Sequence, residues 1–394
     1  VNAIAHADTS LPDEAYAAAL ASLPGCGPAR LMRLVEQPRA LADIWVDVSN
    51  GRVVRDANLM RALAPNADTL VSGWRAASSR IDVRAAWGRL VAEDVRVMVF
   101  GRDGYPHALA DDPEPPAVVF ASVGADVLQR DEARPRAAIV GTRRCTGYGA
   151  DVARELGREL TRAGVAIVSG LAAGIDGAAH EGALVAVREA GERDNVARPV
   201  AVVGSGLDVV YPRRHRRLWQ DLIDHGVVLT EAPLGAAPEP WRFPLRNRII
   251  AALGDVVIVV ESHVKGGSMH TVHAAIDRAR PVMAVPGSIH SPASAGTNRL
   301  LADGIPPVLD VQDVLVALSL AAPTGQRPEK APPTLDPMEE RVLAAVDWSP
   351  TATEAILRRS GAELGAAAAA LARLEMAGLV RNNAGWWERS GEHR

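Results

Sequence analysis

The chain has 394 residues, 48% hydrophobic and 23% charged, with a formal net charge of −4; this favours two or three domains, each with its own core, and argues against disorder. With a negative balance, any anion-binding surface must be a local concentration of arginine, since only Lys265 and Lys330 are lysines. Cys26 and Cys145 show no ligand spacing, no apolar run reaches the roughly 20 residues that span a bilayer, and the first residues lack a signal-peptide pattern, so the expectation is a soluble cytoplasmic protein with no disulfide and no metal.

Residues 1–82 read as a helical domain: "DEAYAAALASL", "PARLMRLVE", "ALADIWVDV" and "LMRALA" carry helical apolar spacing, broken at Pro24-Gly25, Pro38 and Pro65. Within it "LPGCGPARL", Leu23 to Leu31, has the layout of a helix-hairpin-helix turn, whose glycines let backbone N–H groups face a phosphate. Helix packing explains the same residues equally well.

From residue 83 to 320 the pattern changes. "VRVMVF", "AVVFA", "AAIVG", "VAIVSG", "VAVVGSG", "GVVLTE", "DVVIVVE" and "PVMAVPG" are short β-branched runs alternating with helical segments. Continuous apolar runs of this kind belong to strands buried on both faces, so the expected fold is α/β, a doubly wound, mostly parallel Rossmann-like sheet. Residues 321–334 are rich in proline and read as a linker. Residues 335–394 read as three helices and a hairpin around Asn383-Ala384-Gly385, a winged helix. Its candidate recognition helix is mostly alanine with Arg373 almost its only long donor, which favours a protein-contact or structural role over base reading.

In an open α/β sheet the ligand meets the loops beyond the carboxyl ends of the strands. "GTRRCTGYG" offers Gly141, Thr142, Arg143 and Thr146; "SGLAAGIDGAAH" offers Ser169, Gly170 and Gly174; "GSGLDVVYP" offers Gly204 and Gly206; "ESHVKGGSMHT" offers Lys265, Gly267, Ser268 and Thr271. No loop completes a dinucleotide or P-loop fingerprint, so no cofactor is expected. Asp176 and His180 lie four apart and fit either an acid/base pair or a helix-capping aspartate with a histidine that satisfies a neighbour. The stretch "RFPLRNRIIAAL" adds Phe243, Arg246, Asn247 and Arg248, cations beside a ring, the combination that holds single-stranded nucleic acid. Either arginine could instead pair with Glu231, Glu239 or Asp255.

These loops resemble the DprA (Smf) family of DNA-processing proteins of natural transformation. The resemblance rests on "AIVGTRRCTGYG", "VSGLAAGIDGAAHEGAL", "AVVGSGLDVVYPRRHRRL", "LTEAPLGAAPEPWRFPLRNRIIAAL", "VIVVESHVKGGSMHT" and "AVPGSIHSPASAGTNRLLADG", in the family's order. It implies an extended Rossmann-like fold, sequence-independent binding of single-stranded DNA, a homodimer, loading of the RecA recombinase with bypass of single-strand-binding protein, and no catalytic activity. It also implies a DNA pocket of Arg143, Gly170, Gly174, Phe243, Arg246, Asn247, Arg248 and the loop with Lys265, Gly267 and Ser268. The chain departs from the pattern at Gly266, Val272 and His215 and carries a longer connection over Val187 to Pro199. Two other readings are a nucleotide N-glycosidase, whose loop "PGGxGT" and following glutamate are only loosely matched and end on Ala274, and a winged-helix transcription regulator.

Overall fold

In the computed structural model all eight β-branched runs become strands of one sheet. The structure describes residues 10–55, 60–61, 66–122, 128, 134–191, 196–319, 335–383 and 385–390. The helical segment expected at "LMRALA" and the linker at 321–334 lie wholly or largely outside these.

The N-terminal helices are α1 (Asp13–Ala21), α2 (Pro28–Val35), α3 (Leu41–Ser49), α4 (Ala67–Ser78) and α5 (Val83–Ala92). They close on fully buried Tyr16, Leu20, Leu34, Leu41, Ile44 and Trp74. The indole N–H of Trp74 donates to the carbonyl of Pro24 at 2.9 Å, which ties α4 to the hairpin turn. This core continues without a break onto Val97, Val99, Val118 and Phe120 of the sheet's first two strands, so the bundle is seated on the sheet edge.

The strands are β1 (Arg96–Val99), β2 (Val118–Ala121), β3 (Arg136–Val140), β4 (Ala166–Ser169), β5 (Val200–Val202), β6 (Val227–Thr230), β7 (Val256–Val259) and β8 (Val282–Ala284). Their order is β1-β2-β6-β5-β4-β3-β7-β8. Pairings among β3 to β8 are all parallel, while β2 joins both β1 and β6 antiparallel. The connecting helices are α6 (His107–Ala110), α7 (Gly147–Arg162), α8 (Ile175–Ala190), α9 (Arg216–His225), α10 (Arg242–Leu253), α11 (Ser268–Asp277), α12 (Ala295–Ala302) and α13 (Val311–Ala317).

Side-chain alternation divides the strands between two layers. Ala138 and Val140 pack with Ile249 and Ile250 of α10 and Val272 of α11. Ala137 and Ile139 pack with Leu156 and Leu160 of α7, Ala179 of α8 and Val314 of α13. Each fully buried aliphatic side chain contributes about 1.5–3 kcal/mol, which is why these strands carry almost no polar residue on either face.

Beyond the undescribed linker, α14 (Pro337–Ala345), β9 (Thr351–Ala352), α15 (Thr353–Ser360), α16 (Leu364–Met376), β10 (Val380–Asn383) and β11 (Trp386–Arg389) form a winged helix. The hairpin pairs Asn383 with Trp386 as its sequence predicts, and β9 adds a third strand that the sequence reading lacks. Asp336 closes a capping box with Glu339 at the start of α14. Arg373 is held by both of those carboxylates, so the one long donor of α16 is spent inside its own domain. The wing meets the α/β domain through Arg381, whose Nη2 donates to Asp151 at 2.7 Å.

Candidate functional site at the strand ends

The chain reverses its direction of winding between β3 and β7, and the loops after β3, β4 and β5 converge beside that switch point with the start of α10. A cleft of about 50 Å³ opens among them, lined by Arg143, Gly170, Gly204, Tyr211, Phe243 and Arg246 among others.

Arg246 is its principal cation. The side chain is 5% exposed, and its Nε and Nη1 have no hydrogen-bond partner among the described residues. Burial lowers its pKa to about 10, while the nearby Asp176 carboxylate opposes that shift. The guanidinium stays charged at neutral pH. Asp176 is buried too, and its pKa is raised by burial against the pull of Arg246 and of backbone N–H groups from Ala172 and Gly141. A desolvated cation whose donors point at no protein acceptor is expensive to maintain, so the arrangement is suited to an anionic ligand. Gly170 makes room for it, because a β-carbon there would lie 1.6 Å from Nη1. Gly174 has φ +83°, and a side chain at that position would meet the carbonyl of Thr142 at 2.3 Å.

In the same cleft the guanidinium of Arg143 stacks on the Phe243 ring, 4.8 Å from its centroid. Tyr211 meets the same ring at 5.5 Å with a 40° tilt. Gly204 lets the ring approach the end of β5, a β-carbon there falling 3.3 Å from it. Tyr211 is absent from the residues the sequence nominates; its place directly after "GSGLDVV" was the available signal. Asn247 reaches toward the carbonyl of Gly267 at 3.4 Å, linking α10 to the exposed loop that carries Lys265.

Several nominated residues have other occupations. Arg248, two positions beyond Arg246, is buried against Glu231 and donates Nη1 to the carbonyl of Glu114 at 2.6 Å, so it joins α10 to β6 and is absent from the cleft lining. Thr146 caps α7 by accepting from the N–H of Gly149 at 3.1 Å. Its hydroxyl donates to Glu261 Oε1 at 2.6 Å, and its N–H donates to Oε2 at 2.9 Å. The buried Glu261 carboxylate therefore fills the anion position at that helix start, and no phosphate is needed there. Glu261 also accepts the Thr142 N–H on its carbonyl at 2.7 Å, and Gly141 is pressed against the same carbonyl and Ile175. Ser169 is buried and donates to the carbonyl of Ile139 at 2.6 Å. Ser268 is buried and donates to Ser262 at 2.8 Å, and Thr271 is buried in α11. Gly206 serves a close approach to the carbonyl of Pro233.

His180 is fully buried in α8, and burial lowers its pKa to about 3. Position 274, where the glycosidase reading needs a glutamate, is a half-buried alanine on α11. Among the described residues no group of His, Cys, Asp and Glu could hold a metal ion, and no helix is long and apolar enough to cross a membrane.

Fold and site together define a doubly wound α/β protein with a cationic, aromatic-roofed cleft at its strand ends, flanked by a helical hairpin bundle and a winged helix. The family described as DNA recombination-mediator protein A matches residues 96–319, and the DprA winged helix domain matches residues 326–385. Protein Smf of Synechocystis is 35% identical over 313 residues, covering 71% of this chain and 76% of that protein. DNA processing protein DprA of Bacillus subtilis is 36% identical over 214 residues, covering 54% of this chain and 68% of the relative. The X-ray structure of DNA processing protein A from Streptococcus pneumoniae superposes with a TM-score of 0.59 at 28% identity, covering 78% of this chain and 98% of that one. The chain belongs to the DprA/Smf family of DNA-processing proteins.

Proposed function

We propose that this protein binds single-stranded DNA at the strand-end cleft without sequence preference and passes it to a RecA-type recombinase. The observation that carries the reading is the buried guanidinium of Arg246, with two nitrogens unpaired, in the cleft that the stacked pair of Arg143 and Phe243 also lines. Phosphates satisfy such donors in any sequence, and a base finds a flat partner in the roof at about 1–3 kcal/mol per stack. The contact set is Arg143, Gly170, Gly174, Gly204, Phe243 and Arg246, extended by Asn247, Lys265 and Gly267.

Binding is the whole act in this reading, and Ala274 leaves the glycosidase alternative without its carboxylate. A homodimer would set two such clefts on one strand and raise the effective concentration of the second contact. Recombinase loading and the bypass of single-strand-binding protein then use surfaces outside the cleft.

The test is fluorescence anisotropy of labelled oligothymidine across a salt series, with a duplex of equal length as competitor. Single strands are expected to win, and Arg143→Ala and Arg246→Ala should each weaken binding equally for all sequences. Unchanged affinity in both variants, or preference for duplex, overturns the assignment.

A further inference from the structure

The cleft under Phe243 holds only about 50 Å³, too little for a whole nucleotide when small-ligand sites run to about 300–1,000 Å³. Next to it lies a second cleft of about 560 Å³, between the N-terminal hairpin turn and the start of α10. The two adjoin at Val203, Gly204 and Arg246, which line both.

One wall of the larger cleft is the hairpin itself, Pro24 to Pro28 with Arg30. Arg30 donates to the carbonyl of Gly25 at 2.7 Å, which fixes its charge at the turn. The other wall begins with Trp241, a large ring left 48% exposed. The guanidinium of Arg242 lies over that ring, 4.5 Å from its centroid, and the indole N–H donates to Glu239 at 2.8 Å, so the ring is held in place. Leu245 and Ile249 add apolar area to the floor. The charges favour an anion: of the two lining carboxylates, Glu231 is spent on Arg248 and Glu239 pairs with Arg242 at 3.5 Å, which leaves the charges of Arg30 and Arg246.

We infer that this cleft receives the neighbouring nucleotide of the same bound strand, its base against Trp241 and its phosphate shared by Arg246 with the Phe243 site. The hairpin bundle is then the second wall of the strand path. This rests on the single-strand reading above and adds to it a site, a stacking residue and a role for the N-terminal domain.

Two measurements on the full chain test it. Oligothymidine carrying a single 5-iodouracil is irradiated with the protein, and adducts are located by peptide mass spectrometry; trypsin cuts between Arg242 and Phe243, so the two rings report separately. Adducts are expected on Trp241 or on residues 23–31 with the label one position from that which marks Phe243 or Tyr211. Trp241→Ala, checked for an unchanged Tm, is expected to lose at least about fivefold in affinity, the lower bound of one base stack. Adducts confined to Phe243 and Tyr211, with Trp241→Ala within about twofold of wild type, overturn this site and leave the single-strand reading intact. Loss of binding in Arg246→Ala alongside that result confirms that the two readings have been separated. A wild-type protein that neither binds nor crosslinks overturns both.

Discussion

Gly170 can be tested with one added carbon. Its β-carbon would collide with the buried guanidinium of Arg246 and not with backbone, and its φ lies outside the left-handed region, so Gly170→Ala should still fold, at a cost of about 1–3 kcal/mol for overpacking a buried site. The displaced guanidinium should nevertheless reduce oligothymidine binding as much as Arg246→Ala does; a melting curve and an anisotropy titration together check both halves. The sequence made Arg246 legible as a candidate through its ring and neighbouring cations. It did not show that the side chain would be buried, because that follows from Gly170 and Asp176, which arrive from another loop more than sixty residues earlier. Helical phase would have separated Arg246 from Arg248: two positions apart on a helix means nearly opposite faces. Read with that spacing, Phe243 and Arg246 share a face and Arg248 turns toward Glu231.

At the level of elements, the clearest case is the start of α7. A threonine directly before a helix is a cap signal in its own right, and "CTGYG" carries it, yet the identity of the anion that Thr146 meets is settled by Glu261, 115 residues away. Thr146→Val removes a cap worth about 1 kcal/mol and leaves part of a buried carboxylate unsatisfied at a further cost of about 1–3 kcal/mol. Urea unfolding should show that loss with single-strand affinity unchanged; weakened binding in a fully folded variant would return Thr146 to the ligand. The eight strands were legible almost to the residue, since parallel strands covered on both faces need continuous apolar runs. The short β9 was not, because two residues carry no period.

Across the whole molecule, buried titratable groups make stability respond to acid. His180 is neutral in the folded protein down to about pH 3, while the unfolded chain takes up its proton below about 6.5. Its contribution is therefore complete above pH 6.5 and declines as pH falls toward 3, by at most about 1.4 kcal/mol per pH unit. Between about pH 7 and pH 5, wild type should lose up to about 2 kcal/mol more than His180→Gln; parallel urea-unfolding profiles would remove His180 from that role. The expectation of three parts rests on the change from helical spacing to short apolar runs at Val95 and on the proline-rich stretch 321–334; the helix Val83–Ala92 packs with the N-terminal core, beyond the boundary expected at residue 82. The seating of the hairpin bundle on β1 and β2 could not be read in this way, because it depends on which strands reach the sheet edge.

Arg246 also bears on how fast a strand can be captured. On the single-strand reading, its guanidinium has already lost most of its solvent contact during folding, so a phosphate arriving at the cleft has mainly its own hydration to shed. Nε and Nη1 are themselves closed off from solvent, so a phosphate reaches them only after a local opening of the groups around Arg246, and that opening adds to the barrier to association. A fold that carries an unsatisfied charge in its interior is less stable than it would otherwise be, and in the proposed reading that charge is set in place before the strand arrives.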